Sequence, residues 1–143
     1  MTSNTNLSRV VLGGIVAGII MFVINGIVNG GFLNNDFQSW ANDMGSLIHP
    51  PEQSISMSLW VLMCLIYGIA GVWMYAGIRP RFGAGPKTAL LAGFFLWTVS
   101  KLTTSFDFIA LGIFPSKIIV GQLIGSFVAI MLGVLLGARL YKE

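Results

Sequence analysis

Residues 94–108, FFLWTVSKLTTSFDF, set Lys101, Asp107 and five hydroxyl side chains inside a run that otherwise looks made for lipid. An ammonium group among hydrocarbon tails is expensive, and it persists where it meets acceptors or lines a wet cavity. The rest of the chain offers such neighbours. Asn25 and Asn29 lie in the first apolar segment, Cys64 and Tyr67 in the second, and Gln122 in the fourth. Lys101, Asn25, Asn29, Ser105, Gln122, Asp107 and Tyr67 therefore form a candidate intramembrane binding set, with Asn25, Gln122, Ser105 and Asp107 as acceptors for the ammonium. Trp97, Phe94 and Phe108 fall near Lys101 on a helical wheel, where their rings could give cation–π contact. A fixed positive charge in such a place favours an anion or a small polar neutral molecule. A plainer reading stands beside this one. The long stem of Lys101 can reach toward the headgroups, Asp107 can be an interfacial residue, and the amides can simply tie helices together.

Other chemistry is missing. One histidine and one cysteine cannot supply the four or so ligands of a structural zinc site. Two histidine ligands for haem are not available within one chain, and a His–Met pair has no supporting pattern. The glycines of RFGAGPKT precede a lysine, but not at P-loop spacing. A turn followed by a helix start, with Pro86 near the first position, explains them better. His49 sits beside Pro50 and Pro51, and with Asp43 and Glu52 it could hold a metal only weakly. No two carboxylates share a helix face within the apolar runs, which argues against a proton-driven pump. The sequence thus points to no cofactor and no resident metal.

The elements that must position the candidate set are membrane spans. The 143 residues are 55% hydrophobic and only 9% charged, where soluble domains carry about a quarter charged. Mean hydropathy is +0.84. Four apolar segments, at about 10–33, 55–78, 88–108 and 115–138, are each long enough to cross a hydrocarbon core of roughly 30 Å. The first is too long for the apolar region of a cleavable signal and lacks a small-residue cleavage site after it, so it reads as a retained span. Lipid offers the backbone no hydrogen bonds, and period-two alternation is absent. The expectation is all-α: a four-transmembrane-helix bundle forming one domain.

Basic residues orient it. Arg9 precedes span one, Arg79, Arg81 and Lys87 fill the loop 79–87, and Arg139 and Lys142 follow span four. The loop 34–54 has no Lys or Arg but holds Asp36, Asp43 and Glu52. Both termini should face the cytoplasm, with Lys117 the one basic residue outside. The net charge of +3 is therefore an orientation signal, and no basic run interleaved with aromatics suggests nucleic acid. In the outer loop, Phe37, Trp40, Met44, Leu47 and Ile48 recur at helical spacing after Asp36, which is placed to cap the start. This predicts a short amphipathic helix on the outer membrane surface, ended by His49, Pro50 and Pro51. The alternative is a plug over the bundle mouth.

On a wheel of about 100° per residue, Phe95, Val99, Leu102, Phe106 and Ile109 form a narrow apolar face on span three, opposite Thr98, Lys101, Thr104 and Ser105. Gly14, Gly18, Asn25 and Asn29 share a side of span one, and Gln122, Gly125, Ser126, Ala129, Gly133 and Gly137 a side of span four. Small residues at that spacing let backbones approach. Counted from the basic ends, Asn25, Cys64, Lys101 and Gln122 lie about 14 to 17 residues in, roughly 21–25 Å at about 1.5 Å per residue. That depth is the outer half of the membrane. A weak repeat pairs Ala17-Gly18 with Ala92-Gly93, and Gly77-Ile-Arg79 with Gly137-Ala-Arg139.

The stretches GIRPRFGAGPKTALLAGFFLW, LGIFPSK and LGARLYKE resemble a group of small, uncharacterised bacterial four-span membrane proteins. The likeness covers mainly the second half of the chain. It implies a four-helix protein of the bacterial inner membrane, and no substrate or catalytic residue. The leading functional expectation is a non-enzymatic protein of the lipid bilayer that works by association, as a homo-oligomer or an accessory subunit of a membrane complex. The alternative is a channel or carrier for a small polar or anionic solute, using the polar site around Lys101. An enzyme acting on a lipid or quinone headgroup is the weakest reading.

Overall fold

The computed structural model describes residues 6–45, 47 and 52–141. Five helices follow in order: α1 (Leu7–Phe32), α2 (Asn34–Asp43), α3 (Gln53–Phe82), α4 (Pro86–Leu111) and α5 (Ser116–Arg139). All but α2 are long and apolar enough to cross a membrane. The chain is a multi-pass helical membrane protein with an all-α, four-helix bundle.

Small residues decide how the bundle closes. α1 buries Val10, Gly13, Gly14, Ala17, Gly18 and Met21, a stripe at helical spacing. A Cβ on Gly14 would stand 2.5 Å from the Ile69 Cα, and one on Gly18 2.9 Å from the Cys64 oxygen, so α1 and α3 meet backbone to backbone. Gly68 on α3 lies against the Gly14 oxygen and the Gly18 nitrogen. On the other flank of α1, Gly13 and Gly137 approach so closely that a Cβ on either would lie 2.5 Å from the other's oxygen. Lipid tails give helices little hydrophobic reason to associate, so close packing of this kind is what holds them. α1 packs on α3 and α5, and α4 packs on α5 and α3. Large apolar side chains such as Leu12, Ile19, Val23, Phe95 and Ile124 point outward.

We call the end carrying Arg79 and Arg81 the basic end, and the other the α2 end. At the basic end α3 runs beyond the expected limit of Ile78, through Pro80 to Phe82. Pro80 withholds one N–H from the helix ladder there, and Arg79 and Arg81 complement the helix C-terminus. Most of the expected loop 79–87 is therefore helix, and the link is only Gly83–Gly85. Gly83 has φ +82° and Gly85 φ +148°, values an L side chain rarely adopts. The Thr88 hydroxyl donates to the Gly83 oxygen at 2.8 Å, and the Gly85 N–H to the Tyr75 hydroxyl at 3.3 Å.

At the α2 end the expected loop is partly a docked helix. α2 follows α1 directly through Leu33, so no linker is left for Asp36 to cap. Asp36 instead pairs with Lys117 at 2.8 Å, just inside α5. The Trp40 Nε1–H donates to the Ile113 oxygen at 2.8 Å, and its ring lies 4.5 Å from that of Phe114. The helix ends at Asp43, short of Met44 and Leu47, and Leu47 is exposed. Ile48, His49, Pro50 and Pro51 lie outside the described residues. α2 is thus seated on the α4–α5 connection.

The two matched Ala-Gly pairs occupy comparable positions. Gly18 packs on α3 and Gly93 on Met131 and Ile130 of α5, so each faces the second helix of its own hairpin. The other matched pair separates: Gly137 is in the α1 contact, while Gly77 faces open space.

Candidate functional site

The polar residues of α1 and α4 gather where the helices stop being α-helical. Val28–Phe32 in α1 and Thr98–Leu102 in α4 are π turns. A π turn adds a residue to one turn and disturbs the i→i−4 ladder. In lipid, disturbed carbonyls must find other donors. In α4 the hydroxyls of Thr98, Ser100, Thr104 and Ser105 donate to the oxygens of Phe94 (2.8 Å), Leu96 (2.6 Å), Ser100 (2.8 Å) and Lys101 (2.8 Å). Thr103 does the same to Val99. In α1 the Asn25 amide donates to the Met21 oxygen and the Asn29 amide to the Asn25 oxygen, both at 2.9 Å. Much of this polar content therefore supports irregular backbone, and the Asn25 and Asn29 amides donate within α1.

Beside the π turns the helices part. A cavity of about 570 Å³ opens among α1, α3, α4 and α5, bordered at the α2 end by Phe37 of α2 and by Phe114. Its polar lining residues are Asn25, Asn29, Cys64, Tyr67, Ser100, Lys101, Thr104, Ser105, Gln122 and Ser126. Its large apolar ones are Phe22, Met57, Trp60, Met63, Phe108, Phe114 and Leu123. Among the described residues, Lys101 is the sole charged side chain in this lining.

Lys101 crosses from α4 to α3. Its Nζ lies 4.8 Å from the centre of the Tyr67 ring, a cation–π arrangement. The Tyr67 hydroxyl is within hydrogen-bonding reach of Ser100. Cys64 faces both Lys101 and Asn25. Among the described residues, no oxygen atom stands in hydrogen-bond contact with the Lys101 ammonium. The Nζ stands over the ring in the lining of the cavity.

The arrangement corrects several expectations. The ring beneath Lys101 is that of Tyr67, and not Trp97, Phe94 or Phe108. The Trp97 Nε1–H is engaged by the Leu123 oxygen (3.2 Å) and the Ser126 hydroxyl (3.3 Å), tying α4 to α5. Phe108 lines the cavity and packs on Phe114 with ring centres 5.0 Å apart. Asp107 is exposed and takes no part in the cavity. Asn25, Asn29, Gln122, Ser105 and Tyr67 are brought together with Lys101, but as cavity neighbours and not as acceptors of its hydrogens. The Gln122 amide donates to the Asn29 side-chain oxygen at 3.4 Å, across from α5 to α1.

No family model, curated protein or solved structure matches this chain. The site therefore has to be read from its own chemistry. Several of its residues escaped the sequence reading as site members: Phe22, Phe37, Met57, Trp60, Met63 and Phe114. No local pattern marks an aromatic or methionine as cavity-facing when most surfaces of the chain are apolar. Ser100 and Thr104 were visible as neighbours of Lys101 on the wheel, and the cluster of Ser, Thr and Asn around both π turns was the available signal.

Proposed function

We propose that this chain is a membrane-embedded binding protein, working as a carrier for a small polar or anionic solute that docks beside Lys101. The carrying observation is a cavity of ligand size whose lining has one charge, and that charge is positive. Pockets of 300–1,000 Å³ with a few placed polar groups are the usual form of small-molecule sites. An ammonium that has a ring on one side and open space on the other can donate hydrogen bonds to an incoming anion. At the basic end the contact of α1 with α3 and α5 closes the bundle, which supports a carrier open on one side over a continuous channel. The activity is binding and movement, with no bond made or broken.

The basic residues support an orientation with both termini in the cytoplasm and the cavity in the outer half of an inner membrane. The likeness to small bacterial four-span proteins supports that location. Association, the other reading of the sequence, drew on the glycine faces. Gly13, Gly14, Gly18, Gly68, Gly133 and Gly137 are engaged within the chain itself, so they supply no free face for a partner.

The test uses the nitroxide anion carboxy-PROXYL with the protein in lipid nanodiscs. An immobilised spectral component in the wild type, weakened by Lys101→Met by about 10- to 150-fold, is expected from the loss of a charged hydrogen bond worth about 1.5–3 kcal/mol. An immobilised component of equal strength in wild type and variant removes the proposal.

A further inference from the structure

We propose that the ligand is a single-chain anionic amphiphile, and that it reaches Lys101 sideways from the lipid, between α3 and the second half of α4. The inference rests on the binding reading above and names the class of ligand. α3 packs against α4 only over Pro86–Trp97. From Thr98 to Leu111, among the described residues, no Cα of α4 comes within 8 Å of one on α3. The two helices diverge where the π turn begins, and the side chain of Lys101 bridges the seam to Tyr67.

The seam is an opening of the cavity onto the surface that faces lipid. Met57 and Trp60 on α3 and Thr104 on α4 line the cavity and are exposed. Trp60 lies two turns from Tyr67, about 10 Å further toward the α2 end at 1.5 Å per residue. A molecule with its head at Lys101 therefore leaves along an apolar border of Trp60, Met57 and Phe108. The lining holds both kinds of group such a molecule needs: an ammonium, hydroxyls and amides for a carboxylate or phosphate, and aromatic rings and methionines for hydrocarbon. A volume of about 570 Å³ is within the range of one small ligand. It admits a head and the first part of one chain, but not a two-chain phospholipid.

Three nitroxide probes in nanodiscs test this: a labelled stearate, its methyl ester and carboxy-PROXYL. The inference expects the stearate to be held at least about tenfold more tightly than either the uncharged ester or the chainless anion. Lys101→Met should weaken the stearate by at least about tenfold. Thr104→Trp, at the exposed seam, should weaken it by a similar factor and carboxy-PROXYL by less. Met57→Trp repeats that test from the other helix, should either variant fail to fold. Carboxy-PROXYL binding as tightly as stearate, with Lys101 dependence, would overturn the amphiphile while leaving the anion site. Stearate binding unaffected by either seam variant would overturn lateral access. If neither probe is held in a Lys101-dependent way, the inference and the function it rests on fall together.

Discussion

At the basic end α1 touches α3 and α5 through bare backbone, whereas at the α2 end the last turns of α1 leave α3 and meet α5 through side chains, Val28 on Gly125 and Leu33 on Gly121. Glycine is used differently at each end. Gly13, Gly14, Gly68 and Gly137 have no room for a methyl group, while Gly26 and Gly30 meet nothing within 4 Å. The polar residues divide as the glycines do. Asn25, Asn29 and Gln122 lie on the α2 side, beside a π turn or bonded to a residue in one. A bundle in lipid can close by backbone contact or hold itself open with hydrogen-bonded irregular turns, and this chain does one at each end.

The contrast is broken most severely at the crowded end. Gly68→Leu should abolish the α1–α3 contact, because any Cβ there strikes the backbone of Gly14 and Gly18, which has no flexible end to give way. The expected loss is at the upper end of the roughly 1–3 kcal/mol of overpacking, or beyond it. Thermal unfolding in mild detergent reads it. Gly26→Ala is the matched control: with open space around it, it should be neutral or stabilising by up to about 1 kcal/mol. Equal damage from both would end the distinction.

Lys101→Met sharpens the comparison from the open side. It should impair ligand binding by about 1.5–3 kcal/mol yet leave the unfolding temperature equal or higher, since a partly buried charge is removed. Trp40→Ala comes next. It removes the hydrogen bond to Ile113 and the contact with Phe114, together about 1–3 kcal/mol. The effect should be confined to α2, seen as faster hydrogen exchange of Asn34–Asp43 with the bundle unchanged. Asp36→Asn should have the smallest effect, under about 1 kcal/mol, because Lys117 is 75% exposed and such pairs contribute little.

Hydropathy located the four spans to within a few residues, because lipid demands long, internally bonded apolar helices. The main misjudged boundary was at Ile78, where Pro80 reads as a stop and is instead accommodated in the last turn of α3. The polar level around Lys101 was legible as a depth, and most of its members do share the cavity. The partners of Lys101 were not legible. A wheel of constant pitch fails beyond Thr98, where the π turn rotates later residues by about one position. That displaces Asp107 from the expected arc, and only the packing of α3 brings the Tyr67 ring to the ammonium. The lipid face survived better: Phe95, Val99, Phe106 and Ile109 are all exposed.

The central claim is that the α2 end encloses an accessible space with one positive charge. Cys64, the sole cysteine of the chain, is buried, whereas Thr104 is exposed in the lining of that space, so Thr104→Cys in a Cys64→Ala background reports on it. Rates of modification of that cysteine by an anionic and a cationic methanethiosulfonate of similar size should be compared in membranes. The account predicts that the anion reacts faster by about tenfold or more, as expected for a focused field in a low-dielectric cleft, and that Lys101→Met abolishes the preference. A thiol that neither reagent reaches, or a preference that survives in the variant, would contradict it.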